Sequence, residues 1–306
     1  MSWQAVANKE FRDAIRSRWL HGSTLFFALF IGGAAALFFG VLLGPGARQV
    51  SNLFGFFANL GVFSFSFPGL LALVLGFIAL STSHGSITEE RESGSIKLLL
   101  SLPNSRLDAV LGKLVGRSAV VVVALLVGFF VTFLTLLATG TRLELGSFVP
   151  HIALTALLGV AFVSIGLSLS ALADSNREAT LATMGLYLVF AVLWGSISEG
   201  IPKLLNYTAE QVGMGSLSEV LRVKIGVFLK YLNPLKTYET LAAQLYYPAE
   251  QARLVSTAFG EQAVLTPVLQ ESIPFYFSGW FLFLILLAWI VVPVAVGYWA
   301  FERADL

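Results

Sequence analysis

Six stretches of this chain carry no Asp, Glu, Lys or Arg: 19–47, 49–83, 118–141, 145–173, 179–198 and 272–301. Each has room for the ~20 apolar residues that cross a hydrocarbon layer of about 30 Å, which predicts six membrane-spanning helices. Ahead of them, Trp3, Val6, Phe11, Ile15 and Trp19 recur near helical spacing, while Lys9, Arg12, Asp13 and Arg16 fall on the opposite face. That pattern predicts an amphipathic helix in the headgroup layer, its basic face toward anionic lipid or a partner. Between the fifth and sixth runs the segment 199–271 is mixed and nearly neutral. Val220, Leu221, Ile225, Phe228, Leu229 and Leu232 give a helical pattern over 217–232, Asn233-Pro234 breaks it, and 238–246 forms a second helical stretch before Pro248. The expected fold is therefore an all-α integral membrane protein. It divides into an interfacial helix (1–22), five spans with a polar connection at 84–114 (23–198), a small, mainly helical external segment resting on the membrane (199–271), and a sixth span with its tail (272–306).

Composition agrees: 57% of residues are hydrophobic and 12% charged, against roughly 45–50% and 25% for a soluble domain. The first run follows a charged segment and is long enough to span, so it is expected to be an uncleaved anchor. Small residues repeat on one face at Gly32, Ala36 and Gly40, at Gly69, Ala72, Gly76 and Ala79, and at Gly159, Gly166, Ser170 and Ala173. Such stripes let helix backbones approach closely in lipid, and intrachain contacts are the expected use.

Orientation follows from the short loops. One side carries Lys9, Arg12, Arg16 and Arg18, then Arg91, Lys97, Arg106, Lys113 and Arg117, then Arg177 and Arg303; the other carries only Arg48 and Arg142. Both termini are expected in the cytoplasm, with the chain in the plasma membrane and 199–271 outside. Asn206-Tyr207-Thr208 is a glycosylation sequon on that outer side, a three-residue match of low specificity.

The densest charge lies in 88–113. The second span is expected to continue as a helix through Glu89, Glu90, Arg91 and Glu92 and to stop at Gly94. An apolar turn with Leu98, Leu99 and Leu100 follows, ended by Pro103. Ser105 then caps a new helix with Asp108 three residues on, and that helix feeds the third span. This stretch resembles ABC-2 type transporter permeases. Their connection after the second span reads Glu-x-Glu-x-Gly-[Thr/Ser], a Leu pair, Pro-x-[Ser/Thr]-Arg and a Gly-Lys opening the third helix. The matching residues are Glu90, Glu92, Gly94, Ser95, Leu98, Leu99, Pro103, Ser105, Arg106, Gly112 and Lys113.

Chemistry within the chain is expected to be absent. There is no cysteine, hence no disulfide or thiolate site. Gly112-Lys113 is followed by Leu114 and lacks the earlier glycine of a phosphate-binding loop. His21, His84 and His151 stand near three different boundaries with no metal-ligand spacing. Ser164 and His151 are about 20 Å apart on one helix, too far for a nucleophile and its base. No charged residue falls in the centre of any span, which argues against an ion-driven carrier. A net charge of +1 with no pooled basic surface offers nothing to nucleic acid. The polar residues left for a substrate path are Ser64, Ser66, Ser164, Ser168, Thr183 and Tyr187, suited to an amphipathic, lipidic or weakly polar cargo.

The resemblance implies the rest. It implies a non-enzymatic permease subunit of an ATP-driven exporter, with ATP and Mg²⁺ held by a separate ATP-binding subunit. It implies a second permease chain, identical or a paralogue, and a substrate path at the interface between the two. It assigns Glu89, Glu90, Arg91, Glu92, Gly94, Leu98, Leu99, Pro103, Arg106 and Lys113 to coupling with the ATPase, and Lys9, Arg12 and Arg16 to a second contact. A scaffold or sensor with an external ligand-binding domain is the alternative from another class.

Overall fold

The computed structural model describes residues 3–42, 66–95, 105–247 and 274–303. Ser64, Leu98, Leu99 and Pro103 lie outside them. The described residues form helices α1 (Trp3–Ile15), α2 (Leu20–Leu42), α3 (Phe67–Ser83), α4 (Thr88–Glu92), α5 (Arg106–Ala138), α6 (Leu145–Leu172), α7 (Asn176–Gln211), α8 (Glu219–Tyr231), α9 (Pro234–Gln244) and α10 (Gly279–Arg303). Six are long and apolar enough to cross a membrane: α2, α3 with its continuation to Glu92, α5, α6, α7 and α10. The chain is thus an all-helical, multi-pass membrane protein.

Residues with no side chain, or a short one, choose the centre of the bundle. Gly76 sits under the Phe162 ring, Gly159 meets Val121 and Leu75, Gly166 faces Ser83, and a Cβ on Gly297 would stand 2.9 Å from the Ser168 Cα. These contacts bring α3, α5 and α10 onto α6, as the stripes in the second and fourth spans predicted. In consequence 61% of the apolar window of α3 and of α6 is buried, against 11% for α7, so α3 and α6 are the core and α7 stands at the edge. The stripe in α2 behaves differently: Gly32 packs on Val131, but Ala36 and Gly40 are exposed. Two π-helical stretches, Ala28–Gly32 and Ala36–Leu42, add residues per turn, and a four-residue repeat then no longer holds one face.

The polar connection begins with a break. α3 ends at Ser83, four turn residues follow, and α4 resumes at Thr88 and closes at Gly94, whose φ of +72° is the left-handed cap position. Ser105 and Asp108 form the expected reciprocal cap of α5. The start of α5, the ends of α3, α6 and α10, and the start of α7 share one end of the bundle, because Arg91 donates to the Ala173 carbonyl and Arg106 to those of Phe301 and Glu302. With α1 packed on the start of α5, both described chain ends lie on this terminal face.

At the distal face the fifth span runs on into the segment 199–271. α7 does not stop at Ser198; its 36 residues span ~54 Å at 1.5 Å each, and Trp194 stands about halfway along it. α8 folds back against it, with the Trp194 indole donating to the Leu229 carbonyl and Gly226 close to the Ser198 carbonyl. α9 is then inserted among α3, α6 and α10. Leu235, Thr237, Tyr238, Glu239, Thr240, Leu241, Ala242 and Ala243 are all buried, which leaves the helix no free face.

Around α9 each hydrogen bond fixes the direction of the next. Thr155 Oγ1 donates to the His151 carbonyl, so in its 2.8 Å contact with Tyr238 it accepts the phenolic proton. Tyr238 must then accept from His151 Nε2 at 3.0 Å, and Nδ1 is left to accept from Tyr246 at 3.1 Å. Every bond is made with a neutral imidazole. Beside this chain, Glu239 takes the Ser66 hydroxyl and, 2.9 Å away, the Lys236 ammonium. Burial pushes the Tyr238 phenol well above its ordinary range.

Candidate functional site

The charge density of the sequence is assembled on the terminal face around α1. One stripe of this helix, Val6, Ala7 and Glu10, is buried. It is received by two glycines of α5. A Cβ on Gly112 would come within 2.8 Å of the Trp3 carbonyl, and one on Gly116 within 2.6 Å of Glu10 Cβ and 2.9 Å of the Ala7 carbonyl. Only glycine permits this approach. Asp108 accepts from the Trp3 amide at 3.1 Å, which satisfies a donor at the open start of α1.

Close backbone approach seals a charge cluster beneath α1. Lys113 is 1% exposed and its ammonium lies 2.8 Å from Glu10 Oε1 and 2.9 Å from Glu90 Oε1. Glu10 Oε2 takes the Arg117 Nε–H at 2.8 Å, and Arg117 also donates to the Thr82 carbonyl at 2.5 Å, on the last turn of α3. Lys9 reaches Glu90 from outside at 3.2 Å. Burial alone would raise the Glu10 carboxyl; the adjacent charges of Lys113 and Arg117, and the bonds they donate, outweigh it and hold the group below its ordinary value. α1, α3, α4 and α5 thereby meet at one point.

α4 is held from its other side as well. Ser170 accepts from the Ile87 and Thr88 amides at 3.0 and 3.2 Å. Glu92 accepts from the Asn176 amide at 2.7 Å and so caps α7, where a carboxylate is favoured by the helix dipole. Arg91 occupies the opposite role at the end of α6. Arg106 lies over the Phe301 ring at 5.7 Å and donates to two carbonyls at the end of α10.

The residues expected to touch an ATPase therefore fall into two sets. Lys113 is buried, and Glu90, Arg91, Glu92 and Arg106 each bond within the chain. Glu89, Arg12 and Arg16 are exposed, and Lys9 is half exposed despite its contact with Glu90. Gly94 supplies the turn after α4. Glu10, which carries half of the buried cluster, was not among the expected site residues. Its signal in the sequence is a lone acid on the Val6 stripe, four residues on and so on the face that packs.

The expected path residues are dispersed. Ser66 caps α3 and bonds Glu239, Ser164 donates to the Ile290 carbonyl at 2.7 Å, and Ser168 lies under Gly297. Thr183 is buried, its hydroxyl without a hydrogen-bond partner among the described residues. Tyr187 donates to the Leu73 carbonyl and is the one of these that lines a groove of about 540 Å³ between α2, α3 and α7. Gly22, Phe26, Val74 and Phe77 complete an almost wholly apolar wall.

Comparison with known proteins accords with this architecture. Residues 4–306 match the family described as ABC-2 family transporter protein. A protein of Pseudomonas aeruginosa named probable ABC transporter permease protein NosY is 32% identical over 193 residues, 62% of this chain and 66% of that protein. A protein of the same name from Stutzerimonas stutzeri is 26% identical over 311 residues, 97% of each chain. With a family match across nearly its whole length, six apolar helices, and the Glu90–Lys113 motif gathered on one face, this chain belongs to the ABC-2 family of transporter proteins as a multi-pass transmembrane permease subunit.

Proposed function

We propose that this chain is the permease half of an ATP-driven exporter, moved by a separate ATP-binding subunit that docks on the terminal face. Under this reading that face is cytoplasmic, in keeping with its share of Lys and Arg, and ATP and Mg²⁺ belong to the docked subunit. A second permease chain pairs with this one, and cargo crosses between them. The observation that carries the reading is the anchoring of α4. It bonds to α1, α5, α6 and the start of α7 while leaving Glu89 in solvent, as a short element that passes an external push to several spans must do. The apolar groove beside Tyr187 and the absence of charge at mid-span favour an amphipathic or weakly polar cargo.

Co-purification from native membranes tests this. A cassette ATPase is expected to accompany the chain, and Glu89→Lys, which reverses an exposed charge without touching the buried cluster, is expected to lose it. Recovery of no ATPase, or full recovery with Glu89→Lys, defeats the docking assignment.

A further inference from the structure

We propose that Lys113 is a positioning residue that fastens α4 to α1 across the foot of α5, so that the two helices move as one body. The inference of rigidity stands on the geometry alone; its use in transmitting a push from an ATPase rests on the reading above.

Lys113 is placed to bridge, not merely to neutralise. Its ammonium is nearly equidistant from a carboxylate of α1 and a carboxylate of α4, at 2.8 and 2.9 Å, and 1% exposure removes both contacts from the screening that weakens surface pairs. The two carboxylates are not equally provided for. Glu10 has a second cation in Arg117. Among the described residues Glu90 has, besides Lys113, only Lys9, whose side chain is 51% exposed, and Glu90 Oε2 has no hydrogen-bond partner there. Loss of Lys113 therefore leaves α1 docked through Arg117, Val6 and the two glycines, while α4 loses its buried tie to α1. Buried ion pairs are poor devices for stability compared with apolar packing; what this one supplies is a defined distance between two helices that, among the described residues, are otherwise joined through Lys9 and the framework behind them.

The chain has no cysteine, so spin labels can be placed on a native background. Asn8→Cys on α1, Ser93→Cys at the end of α4 and Val115→Cys on α5 are useful positions; the first two are exposed and Val115 is 43% exposed. Distances are measured by pulsed electron resonance in lipid nanodiscs, first on this chain alone. The expected result is one narrow distance for 8/93 and for 8/115. Lys113→Met should broaden 8/93 and leave 8/115 unchanged, which shows that α1 remains docked and the protein folded. Glu90→Gln should broaden 8/93 similarly, and the double variant no further, as for two halves of one contact. In the complex with an ATPase, the native 8/93 distance should stay the same with and without bound ATP. An 8/93 distance that stays narrow in Lys113→Met, additive effects of the two substitutions, or a native 8/93 distance that changes with ATP overturns the proposal. The measurements without ATPase hold even if no such partner exists, so the two readings fail separately.

Discussion

Gly116→Ala adds one methyl group where the structure has no room. Its Cβ would stand 2.6 Å from Glu10 Cβ and 2.9 Å from the Ala7 carbonyl, against the 3.5–4.0 Å or so at which carbon atoms rest. Both obstacles belong to α1 near its backbone, so no side chain can swing aside and the helix itself must retreat by about 1 Å. Overpacking of this kind costs roughly 1–3 kcal/mol. Retreat also stretches the 2.8 Å contacts of Glu10 with Lys113 and Arg117, so the middle of that range, about 2 kcal/mol, is a fair expectation for the weakened docking. That corresponds to a ~30-fold rise in the population of undocked α1. Trypsin reads it directly, since Arg12 and Arg16 are exposed and cleavage of a transiently opened segment follows the population of the open form. Cleavage after these residues should accelerate by that factor, while Gly33→Ala, whose Cβ meets nothing within 4 Å, should leave it unchanged. Equal cleavage of Gly116→Ala and the native protein would refute the docking of α1 against this glycine.

Acid should release α1 as well. Glu10 is held below its ordinary value of 4.5, so its contribution is complete above that pH and is lost as pH falls through the lowered value in the folded state. The 8/115 distance should therefore broaden only below about pH 4.5, and Glu10→Gln should remove that dependence. At the distal face, His151→Phe removes the donor to Tyr238 and the acceptor from Tyr246, a loss of about 1–3 kcal/mol for a buried hydrogen bond broken by removing one partner. Faster hydrogen exchange across α9 should report it, with α1 unaffected. Nitrogen NMR of the native protein should find the proton of His151 on Nε2; a proton on Nδ1 would contradict the bonding order set by Thr155.

The polar connection shows how far local pattern reaches. Gly94 as a helix stop and Ser105 with Asp108 as a helix start are decided within a few residues of chain, and both stand in the structure as read. The same glutamates and basic residues could not be sorted into buried and exposed from sequence, because that depends on which helix covers them. Lys113 looks like any loop-proximal lysine until Gly112 and Gly116 draw α1 over it. α9 posed the same difficulty. Its periodicity announces a helix, yet Tyr238, Glu239 and Lys236 also read as an ordinary surface face, and only contact with Ser66, His151 and Thr155 explains the burial of Tyr238 and Glu239.

By itself the sequence determined that this chain crosses a membrane six times, with the Lys and Arg of its short loops mostly on one side. The cost of placing charge in hydrocarbon is so large that uncharged runs of sufficient length have no other stable use. It also marked faces for close contact within the chain, since small-residue stripes at helical spacing have meaning before any partner is known. Tertiary structure alone decided that α9 is buried among α3, α6 and α10 and that Glu10, Lys113 and Glu90 form one cluster joining α1, α5 and α4. Glu10 and Lys113 are 103 positions apart in the chain, and Ser66 and Glu239 are 173 apart. Local preference carries no information about meetings between side chains so distant.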